Sequence, residues 1–180
     1  PQQDAVRRLV RRMGTGMIWS SRIFAQQEGV LQTPGQLSRY CWHVLGTPIL
    51  FAEEMQRLDQ GLSPEIDDAR LRLCATVGEV IQLANITRDL EKDYERGIFY
   101  HPQLPGLEGA RRQQCILEVR SQLILRAIRR FREFPRFFNA IPTPLISRAR
   151  GAAILLIITT YAYYWRAAQK AGLPAFDNQQ

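Results

Sequence analysis

Nowhere in the 180 residues does an alternating run of apolar and polar side chains lie between Asn-Gly or Asp-Gly turns, the pattern that a half-buried strand and its hairpin require. Apolar residues recur instead at steps of three and four, which stacks them along one side of a helix. From Asp4 to about Glu28 this pattern sets Val6, Val10, Met13, Met17 and Phe24 in register, with breaks allowed at Gly14 and Gly16. A second helix is expected after Thr33-Pro34, running through Tyr40, Val44 and Phe51 to about Leu58. It should bend at Gly46-Thr47-Pro48, because proline has no amide donor and crowds the preceding turn. A third begins near Ser63-Pro64-Glu65 with Ser63 as N-cap, continues to about Glu95 and stops at Gly97. A loop over residues 101–108, a helix to about Phe138 and a last helix from about Pro144 to Ala171 complete the pattern. The reading is an all-α bundle of long helices, one domain over residues 1–180.

Composition narrows the function classes. With 46% hydrophobic and 23% charged residues the chain can bury a core, which excludes an intrinsically disordered segment. A formal net charge of +7 favours an anionic partner: nucleic acid, a membrane surface or a phosphorylated small molecule. Cys41, Cys74 and Cys115 lie in separate segments without CxxC spacing, which reads as buried, reduced thiols in a cytosolic compartment. His43 and His101 are too few and too far apart for the usual zinc sites. The most apolar segment, residues 152–165, is shorter than the ~20 residues that a membrane span needs, so it reads as a core helix. The chain opens at Pro1 without an initiator Met and without a signal peptide, as expected for a piece of a longer protein.

Chemistry concentrates in IQLANITRDLEKDYERGIFYHP, residues 81–102. Gln82, Asn85, Asp89 and Asp93 fall on one helix face, and Gly78 extends that stripe by a turn. Val77, Val80, Leu83, Ile86 and Leu90 flank it, so the stripe should point into a bundle interior rather than to solvent. Carboxylates one turn apart present oxygen ligands about 6 Å apart along the axis. Such ligands suit Mg²⁺, which keeps several waters and completes its shell from substrate phosphates. Arg88 carries the planar fork that grips a phosphate oxygen.

These residues resemble the second aspartate-rich motif of the squalene and phytoene synthase family, Q-L-x-N-I-x-R-D-x-x-x-D followed by R-G-R-x-Y-x-P. The likeness is carried by Gln82, Leu83, Asn85, Ile86, Arg88, Asp89, Asp93, Arg96, Gly97, Tyr100 and Pro102. Upstream, LSRYCWHVLGTP at residues 37–48 is similar to the family's L-x-x-Y-C-x-x-V-A-G-T-V-G segment, through Leu37, Tyr40, Cys41, Val44, Gly46 and Thr47. Downstream, Tyr161 lies in a segment that resembles the family's last cavity-lining helix.

The resemblance implies helices around a central cavity, the isoprenoid-synthase architecture, and Mg²⁺-dependent head-to-head condensation of two farnesyl or geranylgeranyl diphosphates. In that picture Asn85, Asp89 and Asp93 hold Mg²⁺, while Gln82, Asn85, Arg88 and Tyr161 bind the diphosphate substrate. Tyr40, Arg88 and Tyr100 then act at the reacting carbons or the leaving group. A lipid product adds the expectation of a cytoplasmic protein in peripheral contact with a membrane. The choice between C15 and C20 donors, a following NADPH-dependent reduction and the oligomeric state stay open.

Departures from the family pattern are specific. The first aspartate-rich motif has no counterpart, since too few residues precede Asp89, and Asp67-Asp68 lie on the same helix as Asp89. Ser20 stands where a G-M-x-x-D element has its Asp, Pro48 and Ile49 replace Val-Gly, and Ile98 replaces the second Arg of R-G-R. The competing expectation is therefore a non-catalytic helper or scaffold on the same fold. Arginine-rich RRLVRRM at residues 7–13 and RAIRRFREFPRFF at 126–138 recur at helical spacing beside Leu125, Ile128, Phe131 and Phe134. That is a solvated basic face, so nucleic acid is not the expected partner.

Overall fold

Three glycine contacts and one proline determine how the helices meet. The computed structural model describes residues 2–63, 65, 67–139 and 166. Helix α1 spans Gln2–Gln26, α2 Pro34–Cys41, α3 Thr47–Asp59, α4 Asp68–Glu95 and α5 Gly109–Asn139. Among the described residues there is no strand, only an isolated parallel bridge between Val30 and Phe99. Apart from Arg166, the predicted last helix lies outside the described residues, as do Tyr161 and the apolar run at 152–165. Among the described residues no helix is long and apolar enough to cross a membrane.

Helix α2 starts where its sequence chemistry puts it. Thr33 accepts from the Gln36 amide at 3.1 Å, and the Gln36 side chain reaches back to the Thr33 amide at 3.3 Å, a reciprocal capping box. The expected bend at Gly46-Thr47-Pro48 is a π-helical turn over Trp42–Gly46 that joins α2 to α3. Pro48 has no N–H to offer the carbonyl four residues back, and Thr47 donates one residue further, to Trp42.

The start of α4 differs from expectation. Its N-cap is Asp67, not Ser63: Asp67 accepts from the Arg70 amide at 2.8 Å, while Ser63 Oγ accepts from Glu65 N at 3.2 Å in the preceding loop. A carboxylate satisfies the first-turn amides and also complements the positive end of the helix, which a hydroxyl does less well. Asp67 and Asp68 therefore serve helix initiation.

Helix α4 runs antiparallel to α5, and their facing sides form the core. Leu83, Ile86 and Leu90 interlock with Val119, Leu123, Ile124 and Ala127, all under 5% exposed. Each such aliphatic side chain contributes about 1.5–3 kcal/mol by leaving water. Gly78 belongs to packing rather than to the polar stripe. A Cβ there would lie 2.5 Å from Gly46 N and 2.7 Å from Gly46 Cα, so α4 crosses the π-helical turn backbone to backbone.

Helix α4 closes with a Schellman motif. Gly97 takes φ +71, its amide donates to Tyr94 O at 3.0 Å, and Ile98 N donates to Asp93 O at 2.9 Å. The chain leaving this cap is pinned to the turn after α1: Leu31 N reaches Phe99 O and Phe99 N reaches Gly29 O, each at 2.8 Å. Gly29, at φ +83, is the residue that admits this approach, since a Cβ would sit 1.9 Å from Gly97 O. The pinned loop carries Tyr100.

The thiols follow expectation in part. Cys41 and Cys74 are buried, and burial pushes Cys74 up to about 12. Cys115 is only half-buried, because its position on α5 faces the 101–108 loop, where Sγ lies 3.4 Å from Gln103 O.

Candidate active site

Five of the residues singled out by sequence meet on one side of α4. Gln82 is buried, and the Asn85 amide donates to Gln82 Oε1 at 3.3 Å. That bond leaves Asn85 Oδ1 without a donor among the described residues. Tyr40 comes from α2 and packs its ring against that of Tyr100. Tyr100 arrives on the pinned loop and donates to Asp93 Oδ2 at 3.2 Å. Arg96 lies 3.7 Å from the other Asp93 oxygen.

Burial shapes the proton affinities of the two tyrosines. Desolvation is the main force raising both, and the neighbouring Asp93 charge raises them further. Both phenols therefore stay protonated donors at neutral pH. Phe24 of α1 completes an aromatic cluster, edge-on to Tyr40 at 5.8 Å and to Tyr100 at 6.4 Å. The tyrosine rings stand 5.6 Å apart.

The stripe does not point wholly inward, which corrects the expectation from its apolar flanks. It runs along the margin of the buried face formed by Leu83, Ile86 and Leu90, so its burial is uneven, with Asp89 more open than either Gln82 or Asp93. Gln82 is 7% exposed, whereas the Asp89 side chain is 29% exposed and Arg88 61%. Arg88 grips the neighbouring Asp89: Nη2 lies 2.6 Å from Oδ2, and Nε lies 3.1 and 3.2 Å from the two oxygens. These bonds hold the Asp89 carboxyl below its usual range.

The donor set fits a hard divalent cation in chemistry. It offers the Asp89 and Asp93 carboxylates and the Asn85 carbonyl oxygen, oxygen ligands only. Among the described residues no three His, Cys, Asp or Glu side chains converge. A cation here would rest on two carboxylates and an amide, and it would have to draw Asp89 away from Arg88.

Along α1 the apolar series divides in a way the sequence did not reveal. Phe24 packs into the aromatic cluster, but Val6, Val10, Met13 and Met17 are 37–68% exposed and continue from it as an open apolar wall. The buried side of α1 is instead anchored by Arg8 and Arg12, which pair with the buried Glu54 at 3.4 and 2.7 Å. Gly16, matched to the family's G-M element, lets His43 approach: a Cβ would lie 2.7 Å from its ring.

Glu79 is the functional-looking residue that sequence reasoning passed over. It is buried on α4 and pairs with Arg126 at 2.7 Å and Arg130 at 3.1 Å, while Ser38 donates to both of its oxygens. Its signal was available, a lone acid inside an apolar run, but its partners lie on another helix.

A model of the squalene/phytoene synthase family matches residues 1–180. No curated protein and no solved structure matches the chain.

Proposed function

The chain belongs to the squalene/phytoene synthase family, transferases of isoprenoid biosynthesis that condense prenyl diphosphates head to head and are all-α, and we propose that it takes part in this reaction with Mg²⁺. One observation carries the reading: on one helix Asn85 bonds Gln82 and Asp93 bonds Tyr100, whose ring packs on Tyr40, beside an apolar wall.

In this reading Asn85, Asp89 and Asp93 hold the cation, which would neutralise charge on the leaving diphosphate. Arg88 exchanges its bond with Asp89 for one with a diphosphate oxygen. That exchange costs little, because an exposed ion pair contributes only about 0.2–1 kcal/mol. The C–O bond of the donor breaks with its electron pair passing to the diphosphate, and an allylic cation remains. Tyr40, protonated, directs its hydrogen bond at a departing oxygen, Tyr100 does so by giving up its bond to Asp93, and both present ring faces to the cation. Phe24 and the α1 series Met17, Met13 and Val10 give the prenyl chain a surface without water. Tyr161 would contact diphosphate from another wall.

The test is product analysis of the longest natural form with Mg²⁺ and farnesyl or geranylgeranyl diphosphate. A C30 or C40 head-to-head lipid is the expected product, and its mass selects the donor. No product from a chain that carries both aspartate-rich motifs would overturn the proposal. It would favour the helper reading, for which there is one supporting observation. Ile98, standing where the family has a cation, packs against the core instead of facing a diphosphate.

A further inference from the structure

A second concave site lies between the start of α2, the loop at Tyr100–Pro102 and the middle of α5, a cleft of about 500 Å³. Its floor is apolar: Leu31, Leu37 and Leu123 are buried there at 1%, 3% and 4% exposure. Its rim carries Arg126, Arg129 and Arg130 from successive turns of α5. The charges do not balance. Glu79 lies between Arg126 and Arg130, and Glu133 accepts from Arg130 Nη1 at 2.9 Å. Two carboxylates thus face three guanidinium groups, and the unmatched one is Arg129, which has no ion pair among the described residues.

The rim is also preorganised. Arg126 is fixed by Glu79, by Pro34 O at 3.0 Å and by Ser38 Oγ at 2.6 Å. Among the described residues Arg126 Nη1 and Arg130 Nη2 donate to nothing. Planar donors held in place above an apolar floor recognise a molecule with an anionic oxygen head and a hydrocarbon body.

We propose that this cleft binds an amphiphilic phosphate, with its chain on Leu31, Leu37 and Leu123 and its head on Arg129 and the spare N–H groups of Arg126 and Arg130. The site is separate from the polar stripe of α4, needs no metal and does not rest on the functional reading above. The ring of Tyr100 lines the cleft while its hydroxyl bonds Asp93, so an occupant would touch the wall that positions that hydroxyl.

The experiment is calorimetric titration of the full chain in EDTA with inorganic phosphate and with n-octyl phosphate below its critical micelle concentration. Octyl phosphate should bind at least tenfold more tightly than phosphate, because its chain reaches the floor. Arg129→Ala, an exposed position that leaves the Glu79 pairs intact, should weaken octyl phosphate about tenfold, what one charge-assisted contact is worth. Arg11→Ala, an exposed arginine on α1, should leave it unchanged. Vesicles of phosphatidylcholine with phosphatidylglycerol supply the second arm. Competition by them identifies a lipid headgroup as the source, and lack of competition identifies a free phosphorylated molecule. Equal affinity for the two phosphates, equal loss in both variants, or binding that appears only with added Mg²⁺ would overturn the proposal.

Discussion

Gly78→Ala gives the most informative single perturbation, because two effects of opposite sign compete there. Replacing a mid-helix glycine by alanine favours the folded state by about 1 kcal/mol through helix propensity. Against that, the new Cβ would meet Gly46 N at 2.5 Å, Gly46 Cα at 2.7 Å and Leu45 C at 3.1 Å. Carbon atoms rest about 3.5–4.0 Å apart, so the two backbones must part by roughly 1 Å. All three obstacles are backbone atoms, which cannot rotate aside as a side-chain tip can. The cost therefore belongs near the top of the about 1–3 kcal/mol typical of overpacking, and net destabilisation should be about 2 kcal/mol. For a urea m-value of about 2 kcal/mol/M, the unfolding midpoint by far-UV circular dichroism should fall by about 1 M. Gly14→Ala in α1 is the control: nothing lies within 4 Å of its built Cβ, so it should gain about 0.5–1 kcal/mol. Gln82 sits one turn beyond Gly78, so the parted helices should also shift it relative to Tyr40. A Gly78→Ala protein as stable as the parent, or more stable, would refute the close crossing and the helix placement built on it.

Glu79→Leu should cost about 2–3 kcal/mol in urea unfolding, less than the full penalty of a broken buried pair, because Arg130 is 38% exposed and keeps Glu133; a loss under about 0.5 kcal/mol would deny the cluster any structural role. Asp89→Asn should abolish Mg²⁺-dependent binding of a non-hydrolysable farnesyl diphosphate analogue, and Arg88→Ala should weaken it about tenfold; calorimetry showing the parent affinity in Asp89→Asn would sink the metal assignment. Burial lowers the folded-state pKa of His43 and His101, with the Arg39 charge adding to the effect at His43. The unfolded chain then binds protons first as pH falls through about 6.5, so stability should decline from pH 7 to pH 5.5; ring-proton NMR titration should place both below 6.5, and a urea midpoint that rises on acidification would contradict the sign.

Among the described residues the helices and most of their ends were legible because their causes are local. Thr33, Pro34 and Gln36 specify the start of α2, and Gly97 specifies the end of α4, each through bonds within a few residues. Asp67 was missed as a cap because Ser63-Pro64 offered the same signal four residues earlier, and only the preceding loop decides between them. Glu79 could not be assigned for a different reason. Its partners stand 47 and 51 residues further along the chain, and no periodicity reports a pairing between separate helices.

The candidate site shows the same division. Helical spacing correctly put Gln82, Asn85, Asp89 and Asp93 on one face, but it could not say how far that face turns from solvent. The difference matters for the chemistry. A fully buried Asp89 paired with Arg88 would resist separation, since leaving one charge unpaired in the interior costs about 3–5 kcal/mol. At 29% exposure water can take over part of each bond as the pair opens, and the cost falls toward that of a surface ion pair. The proposed clamp, which would release its arginine to one ligand and its carboxylate to another, needs such a margin. The apolar flanks therefore position the stripe and restrict water around Gln82, while the more open position at Asp89 and Arg88 leaves room for partners to exchange.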